Sequence, residues 1–521
     1  MKTTHRFLAF LLLMAPWLNP FAPGPSPSAV PWLFSMACMG GVLLIGAFQG
    51  RDSGFSLAKT PSDASGVFSA SLLAAGLVSS VLAVIQYVDL AALFAPWVNA
   101  TQPGEAFANL RQRNHFATLT NMALTALIVI ANTLPQPNST PKKSARLAVL
   151  MAAVGVLAVG NAISSSRTGL FQLALLSVLY AVWGGWRHGA TRRLLICALF
   201  VYAAAMFAVP WAAGLDLATH GAFARLGKEE ACGSRLMLWS NVLHLIAQKP
   251  WLGWGWGELD YAHFITLYDE PRFCDILDNA HNLPLQLAVE LGVPVALLVC
   301  GIFSWWVAKQ KPWAERDAAR QMAWAVMAVI LLHSMLEYPL WYGPFQIAFV
   351  LCLVILRCSP VAASGHENSA KNVSNPPVAN INRAQAAIVI VACTACLAGL
   401  AYAAWDYRRV SQIYLQPEAR AQAYQDNTLA EASKSWLFAD QALFAELILT
   451  PLTPATAVRV YASAGRLLHY SPEPRVVIML IESAVMLGKD AEALAYLARF
   501  KAAFPKEHAA WAKANSAATK D

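Results

Sequence analysis

Polar side chains at the ends of long apolar runs are the residues of this sequence best suited to chemistry. Ionisable groups at membrane depth cost free energy, so they usually mark a pathway or a site. Guanidinium groups beside imidazoles suit the binding of an anion next to a general base. Five such groups occur, at residues 111–117, residues 164–169, Ser234 with Arg235, His281, and residues 333–342.

The anion contacts are expected from three arginines, Arg113, Arg167 and Arg235. Each guanidinium is a planar, permanently charged fork, which fits phosphate oxygens better than a lysine ammonium does. Asn114 and Ser166 add neutral hydrogen-bond donors. The alternative for each arginine is an interfacial anchor that keeps its charge in water.

His281 is the candidate for the base. It precedes Asn282, which is predicted to cap a helix, and Pro284, which fits the first helical turn. The positive end of the helix macrodipole disfavours imidazolium there, so we expect a neutral His281 that accepts a proton. The alternative is a histidine that only hydrogen-bonds the loop.

A second polar group closes a later apolar run. His333 and Glu337 are spaced by one helical turn, which predicts a shared helix face. They form either an acid–base pair or a structural hydrogen bond. Tyr338 and Tyr342 belong to the site or, alternatively, to the aromatic belt at the membrane interface.

The composition is that of a polytopic membrane protein. The 521 residues are 57% hydrophobic and 13% charged, whereas soluble domains average about 25% charged residues. The net charge is +8, and the basic residues fall in short loops between apolar runs, where they set the topology. No block of basic residues with interleaved aromatics occurs, so a nucleic-acid partner is not expected.

Eleven apolar runs approach or reach spanning length: residues 7–22, 30–49, 68–88, 116–134, 147–163, 169–186, 193–215, 284–308, 321–342, 343–357 and 386–405. With Lys2 and Arg6 in the cytoplasm, alternation places residues 216–282 outside, where five basic residues accompany nine acidic ones. The first run is read as a span and not a signal peptide, because no clear small-residue cleavage site precedes residues 20–31.

The sequence therefore predicts an all-α membrane protein with a large outer loop and a soluble helical domain. The predicted parts are helices 1–7 in residues 1–215, a periplasmic catalytic loop in 216–283, helices 8–11 in 284–405, and a domain resembling tetratricopeptide repeats in 406–521. Residues 360–385 are rich in Ser, Asn, Pro and Ala, which is typical of a flexible linker.

Only two of the nine cysteines, Cys232 and Cys274, lie in the long loop. An oxidising compartment would let them pair; the alternative is two free thiols. No convincing metal site is found, and no nucleotide-binding motif or hydrolase signature occurs. We therefore expect no cofactor, with the energy for any transfer supplied by the substrate.

The polar motifs resemble those of the O-antigen ligase/polymerase superfamily, most closely the bacterial protein O-oligosaccharyltransferases that glycosylate pilins and other exported proteins. The resemblance covers residues 102–341, and the C-terminal helical region is similar to the tail of that branch. The motifs are Arg111-Gln-Arg-Asn-His-Phe-Ala-Thr-Leu119, Ser165-Ser-Arg-Thr-Gly169, Ser234-Arg-Leu-Met-Leu-Trp239, Pro250-Trp-Leu-Gly-Trp-Gly-Trp-Gly257, His281-Asn-Leu-Pro-Leu-Gln286 and His333-Ser-Met-Leu-Glu-Tyr-Pro-Leu-Trp-Tyr342.

The resemblance implies transfer of a glycan from undecaprenyl pyrophosphate to a Ser or Thr hydroxyl at the periplasmic face of the inner membrane. It implies an inverting displacement with His281 as base and with Arg167 and Arg235 on the pyrophosphate. Tyr338 looks like a family tyrosine near the lipid carrier, and Asn114 and Glu337 support the site. Position 115 is a histidine where the family more often has glutamine.

Two alternatives remain at this stage. The first is an O-antigen ligase that acts on lipid A core, or a polymerase, since these share the donor and differ in the acceptor. The second is a transporter of lipid-linked glycan. Transporters place ionisable groups near the bilayer midplane and often contain internal repeats, whereas the polar motifs of this chain cluster at one predicted face.

Overall fold

A computed structural model describes residues 3–53, 61–135, 139–216, 231–358 and 383–518. Within these ranges every regular element is helical, which confirms the predicted all-α class. Most of the predicted linker, and residues 217–230 of the predicted loop, lie outside the described residues. Contacts divide the chain into a first unit (Met1–Ala22, Ser26–Lys228, Val307–Ala401) and a second unit (Pro23–Pro25, Glu229–Trp306, Tyr402–Asp521).

The first seven helices belong to the first unit. They are α1 (Thr3–Leu18), α2 (Ala29–Ser53), α3 (Pro61–Tyr87), α4 (Arg113–Thr133), α5 (Thr140–Ile163), α6 (Arg167–Val182) and α7 (Gly189–Ala212). They match the first seven apolar runs of the sequence, with boundaries shifted by a few residues.

Helix α4 is the centre of this unit, where it packs against α3, α5, α6 and α7. Small residues allow the close approach, since membrane helices associate through tight packing. A Cβ on Gly76 of α3 would lie 2.4 Å from the Cβ of Ala123, and a Cβ on Gly160 of α5 would lie 3.1 Å from the ring of Phe116. The polar start of α4 is therefore held in a fixed place.

The next four helices are α8 (Arg235–Gln248), α9 (Leu259–Ile265), α10 (Leu283–Leu291) and α11 (Val293–Gln310). The prediction of one continuous helix over residues 284–308 is wrong, because α10 ends before Gly292 and α11 begins after it. Gly292 has a φ of +86°. Hydrophobicity alone does not reveal such a break.

A glycine-rich segment explains this break. The Trp254 N–H donates to the Val289 carbonyl at 2.8 Å, and the Val293 N–H donates to the Pro250 carbonyl at 2.8 Å. A Cβ on Gly253 would lie 2.3 Å from the Glu290 carbonyl oxygen, and one on Gly292 only 2.2 Å from that of Trp251. Two glycines thus let one backbone cross directly over another.

Three helices follow, α12 (Ala318–Ser334), α13 (Gly343–Cys358) and α14 (Arg383–Ser411). The prediction that one helix covers residues 321–342 is wrong, because α12 ends at Ser334 and a short 3-10 turn occupies Pro339–Trp341. Pro339 cannot donate the backbone hydrogen bond that would extend α12. Glu337 therefore lies in the turn after the helix and not on its face.

Length and apolar composition qualify seven of the described helices as membrane spans, and three shorter apolar helices, α6, α12 and α13, accompany them. The protein is therefore a polytopic membrane protein. The total of eleven spans stays a prediction.

The remaining helices belong to the second unit: α15 (Thr428–Ala432), α16 (Ala439–Leu449), α17 (Ala457–Leu467), α18 (Pro474–Met486), α19 (Asp490–Ala503) and α20 (Pro505–Ala518). Gly488 lies between α18 and α19 and has a φ of +68°. Helix α18 packs on α17 and α19. Phe264 of α9 is buried in this same core, so the loop helix and the C-terminal helices form one hydrophobic cluster.

Candidate active site

Asn114, in the first turn of α4, links three elements of the first unit. Its side-chain N–H group donates to Glu337 Oε1 at 3.3 Å, and its carbonyl oxygen accepts from the Ser166 hydroxyl at 2.6 Å. Glu337 follows α12, and Ser166 precedes α6. The structure therefore brings together three residues that the sequence separates by up to 223 positions.

The serine turn before α6 is buried. Ser166 is the N-cap of α6, where its hydroxyl oxygen accepts from the Gly169 N–H at 3.0 Å. Ser165 adopts a φ of +52°, in the left-handed region that a serine rarely occupies. The turn thereby places Arg167 at the first position of α6, where its side chain is exposed. The exposed Arg167 side chain thus lies next to the buried hydroxyl groups of the turn.

The hydrogen bonds of Thr118 favour the tautomer of His333 that carries its proton on Nδ1. The Thr118 hydroxyl donates its single proton to the Asn114 carbonyl at 2.7 Å and accepts from Gln172 Nε2 at 2.8 Å. It also lies 2.9 Å from His333 Nδ1. Because its proton is already used, the hydroxyl accepts from His333, which puts a proton on Nδ1. In a neutral His333 the lone pair then lies on Nε2.

His115, which the sequence analysis treated only as a departure from the family pattern, is a central residue of this cluster. It is 2% exposed, and its ring centroid lies 5.4 Å from that of His333 and 4.1 Å from that of Tyr342. Tyr342 in turn stacks on Tyr338 at 6.0 Å. The rings of His333, His115, Tyr342 and Tyr338 therefore form one continuous chain of contacts.

Arg113 forms an ion pair with Glu105, a residue that the sequence analysis did not select. Both side chains are partly exposed. Two buried amides in apolar helices, Gln172 and Asn121, were not among the predicted site residues. Asn121 Nδ2 lies 3.2 Å from Gln172 Oε1. The sequence could have indicated both residues, because an amide at membrane depth costs free energy and is seldom placed there without a role.

His281, in the second unit, has a strained backbone with a φ of +50°. Its N–H donates to Asn279 Oδ1 at 2.8 Å. The preceding peptide is held on both sides, since the Ala280 N–H donates to Gln286 Oε1 at 2.7 Å and the Ala280 carbonyl accepts from Trp239 Nε1 at 3.2 Å. These hydrogen bonds hold the backbone that carries the His281 side chain.

Asn282 caps α10, as the sequence predicts. Its side-chain oxygen accepts from the Leu285 N–H at 3.2 Å, and Pro284 lies in the first turn. His281 therefore lies next to the N-terminal end of α10, where the helix macrodipole is positive.

Arg235 is the first residue of α8, after its N-cap Ser234, which accepts from the Met237 N–H at 3.3 Å. The structure joins Cys232 to Cys274 in a disulfide, with the two Cα atoms 5.4 Å apart. This bond ties the start of α8 to the segment that leads to His281.

Two titratable residues of α9, Asp260 and His263, have pKa values shifted by burial. Burial, followed by the charges of Glu258 and Asp278, raises the pKa of Asp260 to about 7. Burial, followed by the charge of Arg272, lowers the pKa of His263 to about 3. His263 is thus neutral, and its Nδ1 lies 2.8 Å from the Tyr268 hydroxyl, so we read it as a structural residue.

The candidate residues form two groups, one in each unit. The first unit brings together Asn114, Ser166, His333 and Glu337 by direct or shared hydrogen bonds, with Arg113, Arg167 and Tyr338 adjacent to them in sequence. The second unit holds Arg235, His281 and the disulfide.

Comparison with protein families gives three matches along the chain. Residues 106–129 match a model described as a protein glycosylation ligase, residues 147–300 match the O-antigen ligase model, and residues 321–519 match the C-terminal part of a virulence factor membrane-bound polymerase. These segments contain every candidate site residue named above.

Two curated proteins of Acinetobacter baylyi are similar to this chain. A general O-oligosaccharyltransferase is 23% identical over 333 residues, which is 62% of this chain and 56% of the relative. A ComP-specific O-oligosaccharyltransferase is 23% identical over 270 residues, which is 52% of this chain and 47% of the relative. The chain thus spans about half the length of each relative.

No solved structure matches the chain significantly. The family matches nevertheless follow one another in order and cover both groups of candidate residues. The chain is therefore similar to the O-antigen ligase superfamily and, within it, to the O-oligosaccharyltransferases.

Proposed function

We propose that this protein transfers a glycan from undecaprenyl pyrophosphate to Ser or Thr hydroxyl groups of exported, pilin-like proteins. The observation that carries the proposal is the match of residues 106–129 to a protein glycosylation ligase. These residues include Asn114, whose side chain joins the starts of α4 and α6 to Glu337. The names of the two relatives support a protein acceptor over lipid A core.

The proposed reaction is a single inverting displacement. The acceptor oxygen attacks the anomeric carbon, and the bond from that carbon to the pyrophosphate oxygen breaks. The acceptor proton passes to His281, and the electron pair leaves with lipid pyrophosphate. Arg167 and Arg235 stabilise the charge that develops on the leaving group. Because the donor carries its own leaving group, no nucleotide is required.

The geometry around His281 supports its role as the base. A general base must be held at the proton it accepts, and hydrogen bonds with Asn279, Gln286 and Trp239 hold the two peptide groups that precede His281 Cα. His333 is the second candidate, because its Nδ1 proton leaves Nε2 as the accepting atom in the neutral ring.

The proposed location is the bacterial inner membrane, with the site and the C-terminal helices in the periplasm. Supporting observations are the acidic balance of residues 216–282 and the disulfide between Cys232 and Cys274, which suits an oxidising compartment. The expected partners are the lipid-linked donor, the acceptor protein and the bilayer.

The test compares cells with the gene deleted and restored. Exported proteins and lipopolysaccharide from each strain are separated and probed for glycan. Loss of a mass shift on an exported protein, with lipopolysaccharide unchanged, is the expected result. Loss of the lipopolysaccharide ladder with proteins unchanged would instead identify an O-antigen ligase or polymerase and refute the protein acceptor.

A further inference from the structure

A cavity of about 340 Å³ lies in the first unit, at the end of the bundle where α4 begins. Residues from α1, α2, α4 and the start of α13 contribute to its wall, together with the segments that precede α2 and α4. Small-molecule pockets have volumes of about 300–1,000 Å³. His115 and Tyr342 of the first-unit cluster line this cavity, whereas His281, Arg167 and Arg235, which have roles in the proposed transfer, do not.

The lining contains one permanent charge, the guanidinium of Arg111, and no carboxylate. Arg111 is half-buried, and its guanidinium donates to the carbonyl oxygen of Pro20. Within the described part of the chain no acidic side chain pairs with it, whereas nearby Arg113 is paired with Glu105. Burial also lowers the pKa of Arg111. A neutral acceptor replaces only part of the hydration energy that a partly desolvated cation loses.

The backbone at Arg111 is also strained, with a φ of +57°. A left-handed arginine stores backbone strain, and such residues concentrate at functional sites. The remaining wall is mainly apolar and aromatic, with Trp32 and Phe345 on it, and His115 contributes a buried imidazole. The cavity thus combines one positive group with an apolar enclosure between membrane helices.

We propose that this cavity binds the phosphate group of a lipid, with Arg111 on the phosphate oxygens and Trp32 and Phe345 against the first carbons of the lipid chain. A guanidinium has five N–H donors, so the bond to Pro20 leaves others for phosphate. An inorganic anion would not use the apolar wall, and a neutral lipid would not use Arg111. Binding here does not depend on transfer activity.

The experiment is native mass spectrometry of the full chain in detergent, titrated separately with undecaprenyl phosphate, the neutral alcohol undecaprenol, phosphatidylglycerol and inorganic pyrophosphate. Arg111→Gln should weaken binding of the lipid phosphate about tenfold or more, because charge-assisted hydrogen bonds are lost. Arg111→Lys should bind with intermediate strength, because it keeps the charge and loses the planar fork.

Arg146→Gln is the matched control. Its guanidinium also donates to neutral carbonyl oxygens, those of Ala131, Leu134 and Pro135 at the other end of α4, and it does not line the cavity. Its lipid binding should equal that of the wild type. Ser28→Phe adds bulk at the exposed edge of the cavity without touching Arg111, and it should also weaken binding. This variant keeps the test valid if Arg111→Gln fails to fold.

Selective binding of undecaprenyl phosphate would support the site and identify the isoprenoid carrier as its ligand. Equal binding of phosphatidylglycerol, with the same loss in Arg111→Gln, would support a site for bilayer phospholipid. Unchanged lipid binding in Arg111→Gln, undecaprenol binding as strong as that of the phosphate, or binding of pyrophosphate alone would each overturn the proposal. Because the readout is binding, a failed glycan-transfer test does not decide these outcomes.

Discussion

Replacing His281 should lower the rate of glycan transfer while changing the free energy of unfolding only slightly. The backbone conformation of His281 allows the stability effect of each substitution to be predicted. A non-glycine residue with a φ of +50° carries strain of about 1 kcal/mol or somewhat more. His281→Gly removes that strain, but it adds about 0.5–1 kcal/mol of backbone entropy to the unfolded chain. The two effects nearly cancel, so the free energy of unfolding of the variant should lie within about 1 kcal/mol of the wild-type value.

Transfer should respond very differently. Loss of a general base lowers the rate by about 10²–10⁴-fold, which corresponds to about 3–5 kcal/mol of barrier. His281→Asn should lose transfer to the same extent, because asparagine tolerates the left-handed conformation and does not act as a base. The assay measures glycan transfer to an acceptor protein by the purified enzyme, alongside its thermal unfolding.

Lys311→Gly is the matched control for the backbone effect. Lys311 has the same φ of +50°, is exposed and lies outside both groups of candidate residues. It should show the same small change in stability with unaltered transfer. If His281→Asn transferred glycan within about tenfold of the wild-type rate, the assignment of His281 would be wrong, and His333 would become the candidate.

Three further predictions follow from single contacts. Replacing both Cys232 and Cys274 by serine should remove about 4 kcal/mol of loop-closure stabilisation, given a sequence separation of 42; hydrogen exchange in residues 231–282 should rise, and unchanged exchange would contradict this. Asn114→Leu should cost about 1–3 kcal/mol, because Glu337 loses its amide donor; an unchanged melting temperature would refute it. The pKa of Asp260 is raised on folding to about 7, so the folded state binds the extra proton, and stability should fall as pH rises from about 4 through 7. Asp260→Asn should flatten that profile, and an equally steep profile would exclude Asp260 as its source.

Several features of the site were predictable because they depend on local chemistry. The cap at Asn282 needs only an amide one residue before a helix, and it is where the sequence places it. The junction between α18 and α19 needs only a glycine between two amphipathic segments. The long apolar stretches likewise identify most membrane helices, because the bilayer requires continuous hydrophobic length.

Other features depend on residues far apart in the chain. The break at Gly292 arises because the backbone of residues 250–255 crosses the end of α10. The hydropathy of the sequence does not depend on that contact and cannot predict it. The pairing of Arg113 with Glu105 and the central position of His115 also depend on folding. Residue type alone gave Arg113 and Arg167 the same role, although the structure pairs Arg113 with Glu105.

The sequence by itself determined the helical membrane class, the polar residues that interrupt it and the family whose motifs they resemble. These follow from composition, periodicity and short motifs, each of which is a property of neighbouring residues. Only the tertiary structure decided which polar groups meet, that His333 lies beside the Thr118 hydroxyl, and that Arg111 lines a cavity. Those properties depend on distances between separate helices, which the packing of the whole bundle sets.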